Sequence, residues 1–327
     1  MTRVRFPSPA PILLSIGVVL ASAAAAAAFE LGLPVACDLG RTCFVQNYVD
    51  HDASTGARDY ACGALTYDGH DGTDFRLPTR RAGVPVIAAA DGVVLRMRDG
   101  VAEGALQTGG REAVRGRECG NGVLIDHGGG FQTQYCHMAR GSLRVRPKQQ
   151  VGAGDRLGDV GMSGLTEFQH LHITVRRDGK VVDPFAVDAA AGSCGGGTSL
   201  WKASVREALR YRPGSVINAG FASKPVTMAM VERGETFSIG ADAPAIVAFV
   251  RAIGLKGGDV QRLVVHAPGG AVLADSTAAP LDRDKAQALQ FAGKKARSPW
   301  PRGTYRAHYT VTRKGKVVLE HRFELTF

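Results

Sequence analysis

GNGVLIDHGGGFQTQYCHM, residues 120–138, sets two short apolar stretches on either side of the glycines Gly128 to Gly130. Two runs that alternate or cluster apolar residues about a glycine turn read as an antiparallel hairpin. The same pattern continues outward in VPVIAAA (84–90), GVVLRMR (92–98), LHITVRR (171–177) and KVVDPF (180–185). Short runs of valine and isoleucine, separated by turn residues and never at sustained helical spacing, predict an antiparallel all-β unit over residues 67–194. Further on, VTMAMVE (226–232), AIVAFVRAI (245–253), VQRLVVHA (260–267), TYRAHYTVTR (304–313) and VVLEHRFELTF (317–327) predict a second β unit over 216–327, with the length of a small immunoglobulin-like sandwich. A glycine-rich stretch and a short amphipathic helix carrying Leu200, Trp201, Val205 and Leu209 make residues 195–215 a connector.

The chain has 327 residues, more than one hydrophobic core usually serves. At its start Arg3 and Arg5 precede an apolar run from Ile12 to Phe29 that ends in alanines, the pattern of a secretory signal peptide cleaved near Ala28. Export fits the six cysteines, all beyond that segment, which read as three disulfides. Cys119 and Cys136 flank the hairpin at comparable distances from its turn and form the first pair; Cys37 with Cys43 and Cys62 with Cys194 are the weaker assignments, because sequence does not fix connectivity. Residues 29–66, polar and turn-rich with three of these cysteines, form a disulfide-tied arm around the folded body. The net charge of +10 favours approach to anionic polymers, but no basic run is interleaved with aromatics, so a nucleic-acid partner is not expected.

Five of the nine histidines fall between His70 and His172. His170 and His172 stand two apart on a predicted strand and leave one face of the sheet together. His70 and Asp74, with Gly72 between them, offer a nitrogen and an oxygen that can converge on one ion. Three such protein ligands would leave a fourth tetrahedral position open, as in catalytic zinc sites. Tyr135 and His137 are expected on one strand face, with Cys136 on the other. His51, His127, His266, His308 and His321 lack patterned partners, and Trp201 and Trp300 read as packing anchors.

His70-x-x-x-Asp74, Tyr135-x-His137 and His170-x-His172 occur in an order and spacing similar to those of lysostaphin/LytM-type zinc metallopeptidases. GVPVIAAADGVV (83–94), VGAGDRLGDVGMSG (151–164) and HLHITVR (170–176) resemble that family as well. The resemblance covers the middle third of the chain. It implies that His70, Asp74 and His172 bind Zn2+ and that His137 and His170 are the catalytic pair, His170 activating water and His137 stabilising the oxyanion. It also implies a groove over an antiparallel sheet, peptidoglycan as the partner and substrate, and a place in the periplasm or cell envelope, with no stable membrane insertion once the signal is cleaved. Two departures stand out: a long insertion at 99–118, expected to wall the groove, and Glu167, Phe168 and Gln169 before His170, where the family has small polar residues. A catalytically silent wall-binding regulator is the competing reading, and an endopeptidase acting on other peptides a further one. The unit over 216–327 is either a module for substrate or partner binding or a spacer.

Overall fold

The computed structural model describes residues 29–190 and 193–327 together with Met1. The predicted signal segment, 1–28, lies outside the described residues apart from Met1. Among the described residues no helix is long and apolar enough to cross a membrane.

Among the described residues the regular elements are mostly strands, and these pair antiparallel. In the first unit these are β1 (Phe44–Asn47), β2 (Thr73–Arg76), β3 (Pro85–Ile87), β4 (Gly92–Arg98), β5 (Asn121–Asp126), β6 (Phe131–Met138), β7 (Gln150–Val151), β8 (Arg156–Asp159), β9 (His170–Arg177) and β10 (Lys180–Val182). Seven of them lie in the order β1-β2-β9-β6-β5-β4-β7, with β10 also paired to β9, while β3 and β8 form a separate ribbon. The short helix α1 (Ala105–Gly109) and a 3-10 turn at Arg111–Val114 occupy the insertion.

Period-two alternation explains β9. Leu171, Ile173 and Val175 enter the core with Phe75, Val123, Ile125 and Tyr135, while His170, His172 and Thr174 leave the opposite face. Burying such side chains supplies the main driving force, about 25 cal/mol per Å² of apolar surface. The arm contributes more than a wrapping: Leu31, Val35 and Cys43 belong to this core, and β1 is an edge strand of its sheet. The segment after residue 195 does likewise. Leu200, Trp201 and Leu209, about α2 (Ala203–Arg206), are buried in the same core. The disulfides pair Cys37 with Cys43, Cys62 with Cys194 and Cys119 with Cys136, as the sequence suggested.

Beyond lie β11 (Ser215–Ala222), α3 (Met228–Glu232), β12 (Ala245–Leu255), β13 (Val260–His266), β14 (Val272–Thr277), β15 (Lys285–Lys295), β16 (Thr304–Arg313) and β17 (Lys316–Thr326). Sheets β11-β12-β15 and β14-β13-β16-β17 enclose Ala248, Val250, Leu263, Val265, Tyr309 and Val311. The run 226–232, expected as strand, contains the helix α3 instead. Thr227 caps it by accepting from the Met230 amide, and methionine, alanine and glutamate are good helix formers, so local propensity prevails over the short apolar alternation.

Candidate metal centre

His70, Asp74 and His172 converge from three places in the chain. Asp74 lies on β2 and His172 opposite it on β9, where the two are register partners. His70 comes from the turn before β2. Gly72 lets that turn pass close over β9, because a Cβ there would lie 2.5 Å from His172 Nε2 and 2.6 Å from the Ile173 carbonyl oxygen. All three side chains are buried. His70 Nε2 is 3.2 Å from Asp74 Oδ1 and 3.2 Å from His172 Nδ1, and His172 Nδ1 is 2.9 Å from Asp74 Oδ1.

Hydrogen bonds on the far side of each ring fix what faces inward. His70 Nδ1 meets the Tyr48 carbonyl oxygen at 2.6 Å, so it carries the proton and Nε2 presents a lone pair. His172 Nε2 donates toward Thr174 Oγ1 (3.0 Å) and Asp71 Oδ1 (3.2 Å). Asp74 uses its other oxygen, Oδ2, to accept from Asn47 Nδ2 at 2.8 Å. Three electron-rich atoms therefore crowd together with room for at most one shared proton. Zinc bonds of about 2.0–2.1 Å in tetrahedral array put neighbouring ligand atoms about 3.3 Å apart, close to the spacing seen. Outer partners that orient each ligand are also what metal-binding histidines and carboxylates use. The donor set fits a divalent cation.

The electrostatics reflect this crowding. Burial would raise the Asp74 pKa, yet the histidines around it hold it well below the usual carboxylate range. Burial pulls His172 down, but hydrogen bonds from its ring to Asp71 and Asp74 outweigh that and push it up to about 9.

His170 and His137 adjoin the cluster. His170 Nε2 is 3.4 Å from Asp74 Oδ1, and its Nδ1 donates to the Phe168 carbonyl oxygen at 3.0 Å. The rings of His137 and His170 lie 4.7 Å apart, and His137 Nδ1 donates to the Ser163 carbonyl oxygen at 2.9 Å. Burial, helped by the two neighbouring histidines, holds His137 well below its ordinary pKa.

The expectation that Tyr135 and His137 share a face fails. Tyr135 points into the core, where its hydroxyl accepts from the Ala89 amide, and Cys136 pairs across β9 with His172. His137 has φ of 62°, in the left-handed region, and this break in the alternation turns its ring to the metal side. Asn47, Tyr48 and Asp71 had no sequence signal, whereas Thr174 continued the alternation of His170 and His172.

The insertion, expected to wall the groove, packs on the loops after β6 and before β9. Glu103 accepts from the amides of Arg140 (3.1 Å) and Met162 (2.6 Å), and Gln107 Nε2 donates to the Thr166 carbonyl oxygen at 2.9 Å.

Against known proteins, residues 68–184 match peptidase family M23. Over this stretch, then, the chain is similar to the M23 peptidases. The chain is 34% identical over 126 residues to an uncharacterized metalloprotease of Haemophilus influenzae, spanning 38% of this chain and 22% of that protein. It is 32% identical over 114 residues to the peptidoglycan DD-endopeptidase ShyA of Vibrio cholerae, spanning 35% of this chain and 22% of the other. The chain thus spans about a fifth of the length of these relatives. Among solved structures, the catalytic domain of the M23 protein EnpA from Enterococcus faecalis, in a mutant form, aligns at 25% identity over 43% of this chain and 92% of that one, with a TM-score of 0.30.

Proposed function

We propose that this chain is an exported zinc endopeptidase that hydrolyses peptide cross-links of bacterial peptidoglycan, acting in the periplasm or cell envelope. The observation that carries the reading is the meeting of His70 Nε2, Asp74 Oδ1 and His172 Nδ1 within 3.2 Å of one another, each with its opposite edge already hydrogen-bonded. These three would hold Zn2+. When bound, zinc would lower the pKa of a coordinated water to about 7 and polarise the scissile carbonyl. Export is supported by the leader pattern and the three disulfides, and the substrate by the match to family M23 and the relative named for peptidoglycan.

The chain's own residues supply proton handling. His170 and His137 each give Nδ1–H to a backbone carbonyl, which turns Nε2 toward the site as an acceptor. His170 stands nearer the ligand oxygen and is the base for the attacking water. His137, neutral at rest, acts as a donor to the oxyanion only after it has itself received a proton.

The test is digestion of purified sacculi with and without chelator, followed by product analysis. Chelator-sensitive release of peptides cut at cross-links, absent in His172→Ala, is the expected result. Wild-type protein with full zinc that releases nothing would overturn the reading and favour the silent regulator.

A further inference from the structure

Beside the metal centre opens a cavity of about 810 Å³, lined by the 80–83 segment, the insertion helix α1 and the loop after β6. None of the five site residues lines it, but its wall is joined to theirs through the backbone. Gln169, on its wall, precedes His170, and Gly161, also on the wall, donates its amide to the His137 carbonyl oxygen at 3.0 Å.

Its charge is one-sided. Arg80, Arg81, Arg140 and Arg144 line it, all four are exposed, and among the described residues none of their guanidinium groups has an ion-pair or hydrogen-bond partner. Their main chains are nonetheless fixed. The amides of Arg80, Arg81, Arg140 and Arg144 donate to the Glu232 carbonyl, the Gln169 side chain, the Glu103 side chain and the Leu157 carbonyl, respectively. The two acids on the wall are already engaged: Glu103 by the amides of Arg140 and Met162, and Asp159 by Arg156 at 2.5 Å. Four like charges about one cavity repel each other, and a ligand anion relieves that repulsion. The planar fork of arginine matches a carboxylate in bidentate fashion, and its pKa keeps it charged at any working pH.

We infer that this cavity is a subsite for the acidic part of the peptide substrate, selecting peptides with free carboxylates over the same peptides amidated. The inference rests on the reading above that the adjoining centre hydrolyses wall peptides, since that makes a peptide the ligand continuous with the cavity. The arginines contribute to binding rather than to bond cleavage.

The experiment measures binding apart from turnover. Zinc-loaded protein is titrated by fluorescence anisotropy into a labelled wall stem tetrapeptide with free carboxylates, and into the same peptide with every carboxylate amidated. The acidic form should bind at least about tenfold tighter, a gap that narrows as salt rises. Arg140→Gln/Arg144→Gln and Arg80→Gln/Arg81→Gln should each lose most of that preference while melting with the wild type. Equal binding of both peptides, binding of neither, or arginine variants that keep the preference would overturn the subsite. Sacculus digestion run in parallel separates the two readings. Muropeptide release without carboxylate preference removes the subsite and leaves the hydrolase, whereas carboxylate-selective binding without release removes the hydrolase and leaves the subsite.

Discussion

At the scale of single residues, the metal centre competes with a proton. His172 in the metal-free protein has its pKa pushed up to about 9, because Asp71 and Asp74 outweigh the effect of burial. Metal binding needs Nδ1 bare, so below that pKa a cation must displace a proton, and above it none. Zinc affinity should therefore climb roughly tenfold per pH unit from pH 7 toward 9 and then level. Calorimetry at pH 7 in buffers of different ionisation enthalpy should count about one proton released per zinc, and a count near zero would sink the assignment. Asp71→Asn removes one of the groups that raise His172 and should flatten the pH dependence. The catalytic pair behaves differently: His137→Ala and His170→Ala should keep zinc, by elemental analysis, yet lose about 10²–10⁴ in kcat. The alternation of β9 made the shared face of His170 and His172 readable in advance. The ring direction of His137 was not readable, because it depends on a left-handed backbone that no side-chain pattern announces.

At the scale of elements, β1 changes what the arm is for. Its Asn47 donates to the free oxygen of Asp74, and the next residue, Tyr48, supplies the carbonyl that fixes His70. A turn-rich arm with little period thus orients two of the three ligands. Nothing local could reveal this, since the contacts reach across 27 and 22 residues of sequence. Asn47→Ala should weaken zinc binding about 10- to 100-fold while His70, Asp74 and His172 are all present, the usual cost of losing an outer partner. Competition with a chelator of known affinity measures this, and unchanged affinity would show that Asp74 needs no such support. The arm is also held by His51 Nε2 on Asp183 Oδ2 at 2.8 Å, and that hydrogen bond raises the His51 pKa above its unfolded value. The stabilisation is full below the unfolded pKa of about 6.5 and fades as pH rises through the folded one, so His51→Gln should cost less stability at pH 9 than at pH 6.

At the scale of the whole molecule, the two β units meet around buried charge. Glu232 of α3 accepts from Arg76 Nη2 of β2 at 2.7 Å and from Arg251 of β12, and Arg251 also donates to the Pro78 carbonyl and, through Nε, to Asn218 at 2.8 Å. Both arginine side chains are fully buried. The same interface carries Phe44 against Ile217 and Ile253. Helix α3 replaces the strand expected there, and only the helix delivers a carboxylate between two guanidinium groups from different sheets. Arg76 in turn lies 4.2 Å from the centre of the Phe168 ring, which is 4.6 Å from the ring of His170. Removing the shared carboxylate leaves two like charges buried and unpaired, and breaking a buried pair in this way costs about 3–5 kcal/mol, more than any surface pair. Glu232→Gln should therefore lower the melting temperature sharply and split a single unfolding transition into two as the units part. Replacing Arg76, Glu232 and Arg251 together by apolar residues of similar volume should recover most of the loss, because it is the orphaned charges rather than the missing bonds that destabilise. Scanning calorimetry distinguishes the cases, and a Glu232→Gln protein that melts as one unit at the wild-type temperature would mean that the apolar contact of Phe44, Ile217 and Ile253 joins the units without help from the charges.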